Sequence, residues 1–326
     1  MIKRILILAF TFALAACARA DIEDTISESF DVGPGGLLTV DSDLGSIEVK
    51  ANRGRGVRVE VVRTVDTNNR SRAEDVLENL EISFDQSGDD VTVTARFDSE
   101  RKQWWRNRNP LRLRYIIEVP RQYNVDLKTA GGSISVDDLQ GKVRSRTSGG
   151  SLKFGDIEGP VHGRTSGGSI TLKGCEGEAD VKTSGGSITV GQVSGPVQAH
   201  TSGGSIRIDR AAGDVVAETS GGSIRVDEVF GSINAGTSGG SVTARITRQP
   251  GADCRLTTSG GSVTVHMSGD VRADIDASTS GGRVISELDV EIEGERKKKS
   301  LRGELNGGGP EIYLRTSGGN IYLKSL

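Results

Sequence analysis

The 326-residue sequence has few of the residues that build large globular cores or redox centres. It contains 3 cysteines and 2 tryptophans, and aromatic residues make up only 4% of the chain. This scarcity of large side chains favours a thin aliphatic core over the core of an ordinary globular enzyme. The formal net charge is only −3, so there is no overall attraction to nucleic acid, and we predict no nucleic-acid partner.

Histidine is also rare, with three residues at His162, His200 and His266. They fall in different copies of the repeat described below, and no two lie in neighbouring copies, so we predict no metal site. The glycine pairs lack the strand-to-helix context of a nucleotide loop. We therefore predict no catalytic residues and no cofactor, and a chain that is not an enzyme.

The sequence has one long apolar run, at its beginning. Lys3 and Arg4 precede an apolar stretch over residues 5–16 that is too short to span a bilayer stably. This pattern is typical of a signal peptide and predicts export. The letters "LAAC" at residues 14–17 resemble a bacterial lipobox, which predicts cleavage after residue 16. The letters "ARA" at residues 18–20 resemble an ordinary signal-peptidase site, so a signal peptide of residues 1–20 is the alternative.

Cleavage at the lipobox predicts lipid attachment at Cys17, which would make the membrane a partner through the N-terminal lipid. Because Ala18 follows the cysteine, the pattern resembles outer-membrane sorting. We expect a lipoprotein of the outer membrane or periplasm, and the alternative is a soluble periplasmic or secreted protein.

Glycine, in contrast, is abundant, with 45 residues. Most belong to a repeat of eighteen residues that opens with "TSGGSI" at Thr165, Thr183, Thr201 and Thr219. The sixth position of each line is aliphatic, as at Ile134, Leu152, Ile170, Ile188, Ile206 and Ile224. The eighth position is apolar too, and alternate positions of a strand face the same side. The repeat predicts an all-β solenoid whose stacked coils share one apolar core.

Two glycine positions mark predicted corners of each coil: the glycine pair and the thirteenth position of the line. We expect glycine there because it adopts positive φ, and because a Cβ at a stacked corner would crowd the next coil. The inward positions do not recur every six residues, as they do in left-handed hexapeptide solenoids. We therefore expect a right-handed β-helix with coils of eighteen residues.

The pattern changes towards both ends of the chain. We predict a linker over residues 17–24, an N-terminal β-rich cap over residues 25–128, and the solenoid over residues 129–326. One short helix is expected in the cap at "SRAEDVLENL", with Ser71 and Glu74 as a capping box. Near residues 284–305 the period breaks, which predicts a hairpin excursion before the repeat resumes.

Two groups of side chains are candidate binding residues. The eighteenth position of successive lines holds Arg146, Arg164, Lys182 and His200. Stacked at strand spacing, these groups would repel one another, and an acidic glycan or another anionic ligand would relieve that repulsion. The second group is Trp104 and Trp105 with Arg106 and Arg108, which predicts a contact with a membrane or a partner. The alternative is that the tryptophans pack the cap onto the first coil.

The segments "YIIEVPRQYNVDLKTAGGSISVDDLQGKVRSRTSGGSL" and "LNGGGPEIYLRTSGGNIYL" resemble the bacterial adhesin family of β-strand-repeat proteins, a domain of unknown function. The resemblance implies an exported, envelope-associated β-solenoid and carries over no functional residue. We expect a non-enzymatic adhesin or interaction scaffold that contacts an envelope protein or a glycan. A periplasmic scaffold or signalling partner without external ligand is the alternative, and a polysaccharide-acting β-helix enzyme is a distant third. Nothing in the sequence indicates an oligomeric state.

Overall fold

The computed structural model describes residues 22–52, 54–97, 110–293 and 297–326. Within these residues the protein is all-β, with a single short helix. The chain forms two compact units, of which the first ends at Glu158 and the second begins at Gly159. The expected boundary between cap and solenoid, at residues 128 and 129, therefore lies inside the first unit.

The first unit contains twelve of the described strands and the helix. They are β1 (Ile22–Phe30), β2 (Leu37–Ser42), β3 (Ser46–Asn52), β4 (Val57–Val65), α1 (Arg70–Glu78), β5 (Leu80–Ser87), β6 (Asp90–Phe97), β7 (Leu111–Pro120), β8 (Asn124–Thr129), β9 (Ile134–Val136), β10 (Leu139–Gln140), β11 (Val143–Thr147) and β12 (Leu152–Glu158). The strands pair in the orders β1-β4-β7-β3-β9-β12 and β11-β8-β2-β6-β5, and β10 pairs with β12.

Parallel stacking already begins in the region predicted to be a cap. We use the term rung for two consecutive strands joined by a glycine corner, one strand in each sheet. The rung β2/β3 pairs in parallel with β8/β9, so that Leu38 lies beside Val125 and Ile47 beside Ile134. On its other side it pairs in parallel with β6 and β7. Antiparallel pairs are added by β1, β4 and β5. Because β1 begins at Ile22, the strand also starts inside the predicted linker 17–24.

The predicted short helix is confirmed as α1, but its predicted cap is wrong. The N-cap residue is Asn69, whose side-chain oxygen accepts a hydrogen bond from the backbone N–H of Arg72 at 3.2 Å. The helix starts at Arg70, so Ser71 lies within the first turn and has no capping position. Glu74 pairs instead with Arg70, at 3.1 Å between Oε1 and Nε.

The second unit contains the remaining eighteen described strands. They are β13 (Val161–Arg164), β14 (Ile170–Cys175), β15 (Ala179–Lys182), β16 (Ile188–Val193), β17 (Val197–His200), β18 (Ile206–Ala211), β19 (Val215–Thr219), β20 (Ile224–Val229), β21 (Ile233–Thr237), β22 (Val242–Ile246), β23 (Cys254–Thr258), β24 (Val263–Met267), β25 (Ala273–Thr279), β26 (Val284–Ser286), β27 (Val290–Ile292), β28 (Ser300–Leu305), β29 (Glu311–Thr316) and β30 (Ile321–Ser325). They pair in the orders β14-β16-β18-β20-β22-β24-β30-β26 and β27-β28-β25-β29-β23-β21-β19-β17-β15-β13.

The aliphatic positions of the repeat form the core of this unit, as predicted. Ile188 lies between Ile170 and Ile206 in parallel register, and Ile206 pairs in turn with Ile224. All four side chains are at most 1% exposed. Branched aliphatic side chains stacked in this way hide their apolar surface along one axis, which a single rung cannot do alone. The β-solenoid predicted from the sequence is thus confirmed.

The threonine that opens each repeat is buried and links neighbouring rungs. Thr201 Oγ1 donates a hydrogen bond to the carbonyl oxygen of Gly186 in the preceding rung, at 2.8 Å. The same hydroxyl accepts a weak bond from the N–H of Gly204, at 3.4 Å. Thr183, Thr219 and Thr237 make the same pair of contacts. Each buried hydroxyl is therefore satisfied by backbone groups of the corner.

The glycine pairs are required by close approach rather than by backbone conformation. A Cβ on Gly204 would lie 2.2 Å from the carbonyl oxygen of Gly186. The glycines of this pair are not among the residues with positive φ, so the prediction of left-handed backbone is wrong here, whereas the predicted crowding is confirmed. At the thirteenth position the prediction holds in part: Gly177 has a positive φ of 107°, whereas Gly195, Gly213 and Gly231 do not have a positive φ.

Two of the three cysteines lie in the core as small apolar residues. Cys175 and Cys254 are both buried and free. Burial raises the pKa of the Cys175 thiol to about 12, and it also raises the pKa of Cys254. Because burial stabilises the neutral thiol, neither side chain is suited to act as a thiolate nucleophile at neutral pH.

The end of the second unit departs from chain order. The rung β29/β30 inserts between β23/β24 and β25/β26. Strand β28 pairs antiparallel with both β25 and β27. Within the predicted excursion near residues 284–305, β26 still pairs in the register of the repeat, and only β27 and β28 leave it as an antiparallel pair before the repeat resumes in β29.

Candidate binding face

The structure places three residues of the predicted basic stripe in direct register. Arg164 lies beside Lys182, and Lys182 beside His200, on the outer face of β13, β15 and β17. The fourth residue, Arg146, lies in β11 of the first unit, where it pairs in register with Lys128. The eighteenth position of the repeat therefore brings basic side chains together at strand spacing within the second unit.

Acidic neighbours compensate much of this charge. Arg164 donates to the carboxylate of Asp180, and its Nη1 donates to the backbone oxygen of the same residue at 3.0 Å. His200 Nδ1 lies 3.3 Å from the carboxylate of Glu218, the next residue in the stripe. Lys182 is exposed and has no ion pair among the described residues. It is therefore the cation of this part of the stripe that remains open to an external anion.

A groove runs along the corner of the second unit beside the stripe. Its volume is about 530 Å³. Its lining residues are Lys182, Thr183, His200, Thr201, Ser202, Glu218, Thr219, Ser220, Gly236, Thr237, Ser238, Thr257 and Ser259. They come from five successive rungs, which span roughly 20 Å at a strand spacing of about 4.8 Å.

The groove follows from a change in the repeat at Gly236. The eighteenth position holds long side chains at His200 and Glu218, but the next two rungs have Gly236 and Thr257 in register. A Cβ on Gly236 would meet the hydroxyl of Thr257 at 3.4 Å, an ordinary contact distance. Packing does not require glycine here, although glycine weakens a strand by about 0.5–1 kcal/mol. Its effect is to leave the groove open.

The groove surface offers both hydrogen-bond donors and acceptors. Ser202, Ser220 and Ser238 are exposed beside it, one on each successive rung. A serine hydroxyl donates and accepts, the Lys182 ammonium only donates, and the Glu218 carboxylate only accepts. Such a surface suits a ligand that itself carries many hydroxyl groups.

A second cluster on the same outer sheet face was not predicted. Arg255 and Arg315 both stack on the ring of Tyr313, with 4.3 and 4.0 Å between each guanidinium carbon and the ring centroid. Asp276 accepts hydrogen bonds from Arg315 at 2.8 Å and from Arg302 at 2.9 Å. Burial alone would raise the pKa of Asp276, but the two arginines outweigh it and lower the pKa. The cluster forms only because β29 is inserted beside β23, which the repeat pattern does not reveal.

The other predicted site residues lie outside the described part of the chain. These are Cys17 and the group Trp104, Trp105, Arg106 and Arg108. In the part of the chain that the structure describes, no helix has both the length and the apolar character needed to cross a bilayer. The same residues include no group of three or more histidine, cysteine or carboxylate side chains arranged to hold a metal ion.

Rungs of parallel strands, with buried threonines and glycine corners, define an all-β repeat protein of the solenoid class. The model of the family called Toastrack DUF4097 matches residues 38–324. The chain belongs to this family, a domain of unknown function. The curated proteins include no match to the chain.

Several solved structures resemble the chain along most of its length. A candidate cell adhesion protein from Clostridium sporogenes is 12% identical, with 93% of this chain and 100% of that chain covered and a TM-score of 0.22. A candidate adhesin from Bacteroides fragilis is 10% identical, with 93% and 97% covered and a TM-score of 0.28. A candidate lipid-binding protein from Parabacteroides distasonis is 15% identical, with 92% and 96% covered and a TM-score of 0.39. Similarities of this size carry no information about ligands.

Proposed function

We propose that the chain is an exported, non-enzymatic envelope protein that binds an acidic glycan along the groove of its second unit. The observation that carries this proposal is the groove itself, which extends over five rungs and is lined by hydroxyl groups, His200, the carboxylate of Glu218 and Lys182, a lysine without an ion pair among the described residues. A long, open and polar site of this kind fits an extended ligand better than a compact one.

The residues around the groove support a sugar ligand with few negative charges. Sugar hydroxyls donate and accept, which matches the exposed serines on successive rungs. Lys182 attracts an acidic group at one end of the groove, whereas Glu218 repels a ligand with a charge on every unit. The ligand is therefore an oligosaccharide in which acidic groups are separated by neutral sugars.

The groove is better suited to binding than to cleavage of a polysaccharide. Most enzymes that hydrolyse a glycosidic bond use two carboxyl groups that flank the bond, one as acid and one as base or nucleophile. Among the described residues that line the groove, Glu218 is the only carboxylate. With a single carboxylate, the groove lacks the second group that this chemistry needs.

Filling the groove tests the proposal. We expect Gly236→Tyr to lower binding to acidic oligosaccharides on a glycan array at least about tenfold, because the ring would occupy the groove floor. The matched control is Asn234→Tyr, which places the same side chain two residues earlier on the exposed face of β21 and should bind like the wild type. Retention of full binding by Gly236→Tyr would refute the groove as the site.

Attachment to the membrane has its own test. Replacing Cys17 with serine removes the thiol that lipid attachment requires, and we expect the protein to move from the membrane to the soluble fraction of the cell. Cys175→Ser is the control, because this cysteine is buried in the second unit. If the Cys17 variant stayed on the membrane, lipidation would no longer form part of the proposal.

A further inference from the structure

The penultimate rung of the second unit is filled by a segment from outside the local chain order. Ile312 of β29 lies beside Cys254 on one side and Ile275 on the other. In the opposite sheet, Ile321 of β30 lies between Val263 and Val284. We call the space between the rungs β23/β24 and β25/β26 the slot, and residues 311–326 the inserted segment.

The two walls of the slot are in register with each other. Thr258 and Thr279 both pair with Thr316, at equivalent positions of the repeat. Twenty-one residues separate Thr237 from Thr258 and also Thr258 from Thr279. The two walls are thus consecutive copies of the repeat, and they match each other as well as each matches the inserted segment. A rung placed between the two walls therefore pairs with both of them without any change of register.

The inserted segment is held by its core side chains and connected by a chain of turn residues. Ile312, Leu314, Ile321 and Leu323 are completely buried. The connection from β28 consists of residues 306–310, "NGGGP". Three of these residues have a left-handed backbone, with φ of 55° at Asn306, 85° at Gly307 and 75° at Gly308. Glycine-rich connections of this kind change direction at low conformational cost, as a hinge requires.

We propose that the slot also accepts the inserted segment of a second copy of this chain, so that two copies exchange residues 311–326. Each exchanged segment would make the same strand pairs and bury the same four side chains as it does in one chain. The single and the exchanged forms then differ mainly in the conformation of the hinge and in the entropy of association. Exchange is therefore favoured at high protein concentration, such as that of proteins crowded on one surface. This proposal does not depend on the ligand of the groove.

Single cysteines on two separate full-length chains test the exchange. Thr264 lies directly opposite Tyr322 in parallel register, and both side chains are half-buried on the outer face. A chain with Thr264→Cys is mixed at high concentration with an isotope-labelled chain with Tyr322→Cys, under mild oxidation. Mass spectrometry of the linked peptides then identifies disulfides that join 264 of one copy to 322 of the other. The peptide sequences separate these disulfides from links made by the native cysteines, and the labels verify that the two peptides come from different copies.

We expect the 264–322 link between copies to form at least about tenfold more than a link from Thr264→Cys to Lys324→Cys. Lys324 lies opposite His266, so its Cα is about 8 Å from that of residue 264, too far for an unstrained disulfide. One chain that carries both Thr264→Cys and Tyr322→Cys must form the internal link, which verifies the pairing and the fold of the variants. Equal links to positions 322 and 324, or an internal link without any between copies, would overturn the proposal.

Discussion

Gly204→Ala is expected to destabilise the second unit by about 3 kcal/mol. The new methyl group would press against backbone atoms, and no flexible side chain can move aside to make room for it. The new methyl carbon would lie 2.2 Å from the carbonyl oxygen and 2.4 Å from the carbonyl carbon of Gly186. That oxygen also accepts the hydrogen bond of Thr201, so a backbone shift at Gly186 would disturb the buried hydroxyl as well. Urea unfolding followed by circular dichroism measures the loss.

Two other glycines are controls for the Gly204 substitution. An alanine at Gly251 would have no atom within 4 Å of its Cβ, and the midpoint of unfolding should hardly change. An alanine at Gly203 would meet the carbonyl oxygen of Gly185 at 3.1 Å, and we expect an intermediate effect. If Gly204→Ala and Gly251→Ala unfolded at the same urea concentration, this result would contradict the explanation that the glycine pairs allow the corners to stack closely.

The sequence reveals which residues face the core because that property is periodic. Ile188 and Ile206 occupy the same position of adjacent repeats, and in the structure they are stacked neighbours. Each repeat needs its neighbour to bury its apolar face, so the period and the inward columns determine the class of fold. The α1 cap is a local feature too, but Asn69 and Ser71 are both good capping residues, and the choice between them depends on where the helix packs.

The order of the rungs is not periodic and could not be predicted. Nearly identical repeats can stack on one another in any order, because each presents the same columns to both neighbours. In the first unit, the rung β2/β3 lies between the strands β6 and β7 on one side and the rung β8/β9 on the other, and in the second unit β29/β30 inserts between β23/β24 and β25/β26. Long-range pairing decides this order. The cluster of Arg255, Tyr313 and Arg315 depends on it, and so does the slot.

The basic stripe shows the same limit for the site. Its register was predictable, because one column of the repeat contains Arg164, Lys182 and His200. Its charge balance was not, because Arg164 reaches across to Asp180, which belongs to the sixteenth column of the next rung. Column patterns predict neighbours directly above and below, whereas ion pairs between long side chains are often diagonal. The opening of the groove at Gly236 could have been found in the sequence, because Gly236 is the one glycine in the eighteenth column. The prediction of the stripe considered only the basic residues of that column and did not use this glycine.

Ile188→Ala is expected to cost about 3 kcal/mol of folding stability, within the range found when buried isoleucine or leucine is truncated. Ile188 is 1% exposed and lies between Ile170 and Ile206. Truncation would leave a cavity that the neighbouring rungs cannot close, because hydrogen bonds of the parallel ladder fix their strands. The matched control is Thr189→Ala, the next residue of β16, which faces outward and should change stability by less than about 1 kcal/mol. Urea unfolding of both variants measures the difference. A cost at Thr189 equal to that at Ile188 would contradict a core built from one face of each strand, since the two side chains lie on opposite faces of the same sheet.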